Sequence, residues 1–300
     1  MGLKMSKKIT VRINGGLGNQ LHIYAFGRAI SMNNECELEV DADRGFIGDP
    51  TKREYLLDHF PLLNINRSKV LSSNKSKFLH KVKLKIGAKI CKLLPLSIRP
   101  IIKEDSPRRY QKEVHYAKYA VNPYFIGLWS SDLYYQNISK QLRKELIPPK
   151  PEDKYSLQVL DKITSTKSCF IHWRSYAEDT TFSHPSYYDY YCEAINHIEI
   201  KHPNTCFYVF SDIPSKAYDE LNQIKANMVF VDIQSAKGNR GSLIDFYLMY
   251  ACKHAIIANS SFGWWAAWLG DNDNKTVVAP LGFNQLGRGW APLSWTVIDS

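Results

Sequence analysis

From residue 168 to residue 280 the chain alternates strand-like and helix-like runs. That alternation limits the fold more than any other feature. SCFIHWRS (168–175), CFYVFSD (206–212), MVFVDI (228–233), HAIIANS (254–260) and KTVVAP (275–280) are short and apolar, as buried strands are. Residues 187–198, 214–224, 243–253 and 262–270 between them carry helical patterns. Strands joined through helices pair in parallel, because each helix is the crossover that returns the chain to the same edge. The fold class is therefore α/β. Ligands of such sheets bind beyond the carboxyl ends of the strands, which directs attention to the polar residues there.

The first half is less regular. VRINGGLGNQLHIYAFGRAI (11–30) reads as a strand, a glycine break and a helix. ELEVDAD (37–43) reads as a second strand. YLLDHF (55–60) follows, and FIGLWSSDLYYQNISKQLRKEL (125–146) is expected to end in a long amphipathic helix. The segment IPPKPED (147–153) has three prolines, cannot continue a helix and favours an extended spacer. A boundary there gives domains 1–150 and 151–300, expected to be two α/β domains facing a cleft.

Net charge is +10, yet it is local. Residues 67–103 hold 11 Lys or Arg and no acid, which leaves 39 − 11 = 28 bases against 29 acids elsewhere. Within that segment 77–96 has the pattern of an amphipathic basic helix. One reading is peripheral docking on an anionic membrane surface; the other is a solvated face packed on its own domain. Nucleic acid is disfavoured, since the charges are not interleaved with aromatics. No apolar window suffices for a transmembrane helix, and the start MGLKMSKKITVRI has too short an apolar run for a secretory signal. Six cysteines without a C-x-x-C pair read as reduced thiols, with no zinc site. The expected location is cytoplasmic, peripheral on the inner membrane face if the basic segment docks.

Four places carry chemistry. In Gly15-Gly16-Leu17-Gly18-Asn19-Gln20 the third glycine of a dinucleotide fingerprint is replaced by Leu21, although Asp41 stands where its acid would be. No Gly-Lys-Ser/Thr follows, so it is not a triphosphate loop. An anion at a helix N-terminus and a tight turn with no ligand both remain. Next, His172-Trp173-Arg174 ends a strand; Arg174 there asks for an anion, and Glu178 and Asp179 are either general bases or its ion-pair partners. Third, Ser260 and Ser261 lie where a strand gives way to a helix and can cap it or bind phosphate. Fourth, Asp212 ends a strand and Asp245 lies just inside a helix start; each can serve the helix dipole or accept guanine N–H groups.

In this order, GGLGNQ with YAFGRA, YLLDHF, FIGLWSSDLYY, the H-x-R segment, FYVFSD, LMYACKHAIIANSSFGWWAAWL and VVAP resemble the bacterial α-1,2-fucosyltransferases, family 11 of the glycosyltransferases. The resemblance spans nearly the whole chain. It implies two Rossmann-like domains in a GT-B-like arrangement, GDP-β-L-fucose as donor, inversion at the anomeric carbon, an α-1,2 linkage on a galactoside and no metal or other cofactor. The acceptor is implied to be an oligosaccharide, lipid-linked or soluble, of the kind used in surface polysaccharide or O-antigen synthesis. By position, Arg174 would hold the β-phosphate, with His172 and Asp245 at the guanine. Ser260, Ser261 and Phe262 would line the diphosphate, and Gly16, Gly18, Asn19 and Gln20 would approach it. Asp212 is a further donor-side candidate. One departure stands out: where the family reads H-x-R-R-G-D, this chain has Ser175-Tyr176-Ala177 after Arg174. Glu178 and Asp179 are then shifted substitutes for the missing acid.

Overall fold

The computed structural model describes residues 7–63, 65–67, 91–106, 109–175, 188–232, 239–270, 274–281 and 291–298. Glu178, Asp179, Tyr176, Ala177, the first six residues and the core of the basic segment (68–90) lie outside the described residues. The chain divides into two compact units, Met1–Leu146 and Ile147–Ser300, where the proline-rich segment begins.

In the N-terminal unit, strand β1 (Lys8–Arg12) leads into helix α1 (Leu17–Asn33), then β2 (Glu37–Asp41), β3 (Asn66–Arg67), β4 (Ile101–Lys103), α2 (Lys112–Tyr116), β5 (Tyr124–Ile126) and α3 (Ser139–Glu145). The strands form a parallel sheet in the order β3-β2-β1-β5-β4. Helix α1 is buried along most of its length. It lies close on the sheet because Gly27 has no side chain: a Cβ there would fall 2.7 Å from Val11 Cγ1 and 2.9 Å from Leu38 Cδ1. The aromatic core below it is layered, with Phe26 stacked on Trp129 at 4.2 Å and edge-on to Phe125 and Tyr134.

The C-terminal unit runs α4 (Lys154–Ser165), β6 (Ser168–Trp173), α5 (Tyr188–Lys201), β7 (Cys206–Ser211), α6 (Pro214–Leu221), β8 (Met228–Phe230), α7 (Asn239–Ala251), β9 (His254–Ile256), α8 (Ser261–Leu269), β10 (Val277–Pro280) and β11 (Thr296–Ile298). Its sheet is parallel in the order β11-β10-β9-β6-β7-β8. Strand β6 is buried at all six positions, as a central strand of a two-faced parallel sheet must be.

One expectation needs correction, and two elements add to the reading. The long amphipathic helix expected at the end of 125–146 is only the seven-residue α3, preceded by β5 and two 3-10 turns (Asp132–Tyr134 and Gln136–Ile138). The turn after β5 wins because Trp129 adopts φ +52° and the Glu104 carboxylate accepts the Leu128 and Trp129 amides at 2.7 and 3.1 Å. YLLDHF contributes only a 3-10 turn at Leu57–His59. Directly after the prolines a helix was missed: Asp153 caps α4 by accepting the Ser156 amide at 2.9 Å.

Candidate functional site

The C-terminal sheet reverses its strand order once, between β6 and β9, and in the N-terminal sheet β2 and β3 lie on one side of β1, with β5 and β4 on the other. At such a point the outgoing connections diverge and leave a crevice at the carboxyl ends.

In the C-terminal unit His172 and Arg174 stand at that point. His172 is buried, and its ring lies against Gly263 in the first turn of α8. A Cβ on Gly263 would come within 2.6 Å of His172 Nδ1, so only glycine lets the ring and the helix meet. The His172 carbonyl accepts from Tyr191 Oη at 2.9 Å, and the ring sits 5.7 Å from Phe262, which in turn packs on Phe246 at 5.2 Å. Burial first, and then the Arg174 charge, push the His172 pKa down to about 3. The imidazole is therefore neutral near pH 7. Its Nδ1 is buried with no hydrogen-bond partner among the described residues, a place where a ligand or ordered water is expected.

Among the described residues Arg174 has Asp212 as its counter-ion; Glu178 and Asp179, the partners weighed from the sequence, lie outside them. Its Nε lies 3.2 Å from Asp212 Oδ2, while Asp212 Oδ1 accepts the Ser175 amide at 3.0 Å. Asp212 thus holds the loop after β6 and orients Arg174, rather than standing free for a base. The Arg174 side chain is 41% exposed.

Ser260 caps α8: its Oγ accepts the Phe262 amide at 3.3 Å, and its own amide bonds to Ala258 O at 2.7 Å. Ser261 opens the helix. Asp245 is seven residues into α7, past the first turn, so the helix dipole is not what it serves. Burial and then the charge of Asp232 raise its pKa to about 7. Asp232, beyond the end of β8, is a neighbour of Asp245 that the sequence reading did not single out; its signal was the acid next to the end of MVFVDI. The neighbour of Asp245, Phe246, packs on Phe262 and so ties this acid to the α8 N-terminus.

In the N-terminal unit Gly15 has φ +74°, and Gly16 is the N-cap of α1 with no side-chain cap. A Cβ on Gly16 would meet nothing within 4 Å, so internal packing does not require glycine there. Gly18 and Asn19 lie in the first turn of α1. Gln20 is fully buried and engaged: Nε2 donates to Gly15 O at 2.9 Å and Glu54 O at 2.7 Å, and Oε1 accepts the Leu56 amide at 2.8 Å. It is a clamp for the glycine turn, not the ligand contact expected of it. Asp41, the one acid that kept a dinucleotide in view, is likewise occupied by Arg44 and Tyr124.

No three His, Cys, Asp or Glu side chains come together as metal ligands among the described residues. No described helix is long and apolar enough to cross a membrane.

With this geometry in place, residues 8–285 match the profile of glycosyl transferase family 11. The chain belongs to that family. It is a glycosyltransferase, as its motifs implied. It is 30% identical over 278 residues, 91% of each chain, to an α-1,2-colitosyltransferase of Escherichia coli. A second relative, the O-antigen biosynthesis glycosyltransferase WbnK of Escherichia coli, is 38% identical over 92 residues, 31% of this chain and 29% of that one. Among solved structures, a mutant of Arabidopsis thaliana FUT1 in complex with GDP superposes with a TM-score of 0.55 at 12% identity, over 92% of this chain and 71% of that one. NodZ α-1,6-fucosyltransferase soaked with GDP-fucose gives 0.50 at 13% identity, over 88% and 92%. The fold is accordingly GT-B-like, with two parallel α/β sheets.

Proposed function

We propose that this glycosyltransferase moves L-fucose from GDP-β-L-fucose to the 2-hydroxyl of a galactoside, with inversion, in O-antigen assembly. The observation that carries the reading is the grouping at the β6/β9 switch point: Arg174 beside a buried neutral His172, facing the Ser260-capped start of α8. A diphosphate leaving group needs a cation and helix-terminal amides of this kind. The acceptor oxygen attacks C1 of the sugar as the bond from C1 to the β-phosphate oxygen breaks. Arg174 and the α8 amides take the charge that develops on that oxygen. Glu178 or Asp179 takes the acceptor proton. Asp245, with Asp232 near it, accepts the guanine N1 and N2 hydrogens. No metal enters this scheme.

A second reading changes only the sugar. Colitose is fucose without its 3-hydroxyl, and likeness to a colitosyltransferase over 91% of the chain favours it. A site built to hydrogen-bond that hydroxyl would reject the deoxy sugar by about 10⁴-fold, whereas an apolar one discriminates only about 10²-fold. Incubating the protein with GDP-fucose or GDP-colitose and β-galactosides, and assigning the linkage by NMR, separates the two. A 2-O-linked product from one donor supports the matching reading. Absence of product from every GDP-sugar, with GDP still bound, would defeat both.

A further inference from the structure

The carboxyl edge of the N-terminal sheet carries a charge cluster that the scheme above does not use. Arg12 ends β1 beside Asp41, its register partner at the end of β2. Val11 faces α1, as its approach to Gly27 shows, so Arg12 and Asp41 lie on the opposite face. Tyr124 of β5 shares that face through its partner Thr10.

Asp41 is 1% exposed, and its two oxygens accept four hydrogen bonds. Oδ1 takes the amides of Asp43 and Arg44 at 3.3 and 3.0 Å. Oδ2 takes Arg44 Nη1 at 2.7 Å and Tyr124 Oη at 2.5 Å. A carboxylate has about four acceptor sites, so none is left for Arg12. Arg12 joins no ion pair among the described residues. The Nε of Arg12 and the Nε of Arg44 are both buried without a hydrogen-bond partner there. The remaining residues of the unit (1–6, 64, 68–90 and 107–108) contain no Asp or Glu, so none of them can supply the missing charge. Two guanidiniums face one carboxylate.

A partly buried guanidinium without a counter-ion is costly, and its planar fork matches an oxyanion. We propose that Arg12 and Arg44 form a subsite for an oxyanion carried by the acceptor, either the carboxylate of an acidic sugar or a phosphate. Arg12 supplies the uncompensated charge. Arg44 supplies a second donor, held in place by Asp41 and Tyr124. The assignment rests on reading the N-terminal unit as the acceptor's.

The test is calorimetric titration of the full chain, with and without saturating GDP. The probes are methyl β-glucuronide, galactose 6-phosphate and neutral methyl β-galactoside. At least one anionic probe should bind about tenfold or more tighter than the neutral one, weakening as salt rises. A response to the glucuronide identifies a carboxylate, and a response to the phosphosugar a phosphate. Arg12→Gln should lower that affinity by about 10- to 100-fold and leave the neutral probe and GDP unchanged. Arg12→Lys should fall between, keeping charge but losing the fork, and serves alone if Arg12→Gln does not fold. The subsite is overturned if neither anion outbinds the neutral sugar, or if both variants bind anions like the parent. A parallel loss of GDP affinity in Arg12→Gln also overturns it, since the anion would then be the donor's diphosphate. Failure of the parent to bind GDP would count against the donor reading, while the anion titrations without GDP still judge the subsite.

Discussion

The two sheets end in the same way and, the guanidiniums of Arg12 and Arg44 apart, treat their polar groups in opposite ways. At the N-terminal edge Gln20, Asp41 and Glu104 are buried and their oxygens are occupied, mostly by backbone amides of the turns they hold. At the C-terminal edge, among the described residues, His172 keeps a buried nitrogen without a hydrogen-bond partner, Asp245 is held against ionisation, and Arg174 pairs with Asp212 while reaching toward solvent. Satisfied polar groups build a frame; unsatisfied ones wait for a ligand. Substitutions of the satisfied groups at the first edge should therefore cost stability, and those at the second should cost activity.

The largest effect is expected at Arg174. Arg174→Ala should lower kcat by about 10²- to 10³-fold at saturating GDP-sugar, the usual result of removing one group that stabilises a developing oxyanion. Its melting temperature should hardly move, since exposed ion pairs contribute little. A melting temperature that falls along with kcat would erase the contrast. Gln20→Leu is the mirror case. It strands Gly15 O, Glu54 O and the Leu56 amide, and should destabilise by roughly 2–3 kcal/mol. Turnover of the fraction still folded should stay close to the parent's, measured against an active-site titration with GDP.

Asp245→Asn sharpens the comparison because its two effects differ in sign. In the folded chain the Asp245 pKa is raised from 3.8 to about 7. The unfolded carboxylate ionises first, so the penalty on folding grows as pH rises from about 4 to 7 and is complete above that. Asparagine removes it. Denaturation at pH 8 should show a melting temperature a few degrees higher, with no gain near pH 4. GDP affinity should drop about tenfold or more, because an amide cannot accept both guanine hydrogens. In the parent, GDP should bind more weakly as pH falls below about 7, where the carboxylate protonates.

The fold was readable because strand and helix periods differ and the C-terminal unit keeps them separate. Strands 206–211 and 277–280 lie within the segments read for them. Where tertiary contacts override local pattern the reading failed. The end of 125–146 looks like a long helix, yet Glu104, just beyond β4, fixes a turn earlier in the run and only seven residues are helical. Arg174, Ser260 and the glycine turn were legible as residue types at strand ends. The partner of Arg174 was not, since Asp212 is brought to it by the β6/β7 register and not by sequence proximity. Gly263 was invisible for a similar reason: its need arises only from a ring on another strand.

The smallest expected effect concerns acid. Burial pushes His172 down to about 3 and His254 down to about 4. Both ordinarily titrate near 6.5, so each refuses in the folded chain a proton that the unfolded chain accepts. That stability is present above pH 6.5 and is lost as pH falls toward 4. Asp245 works against it, binding a proton in the folded state over the same range. His197 and His202, pushed down by burial, add to the loss, and Glu220, pushed up by burial, opposes it. Between pH 6.5 and 5 the net loss should be on the order of 1 kcal/mol or more. Hydrogen exchange of peptides over 168–173 and 254–256 should speed at pH 5 once corrected for intrinsic rates. Strand 8–12 should change less, since buried His115 opposes Glu104 and Asp132, whose pKa values burial raises. In Asp245→Asn one opposing group is gone, and the C-terminal peptides should lose protection more steeply. Equal acid loss in both units would mean that the frame near β1 holds titrating groups as poorly satisfied as those beside His172.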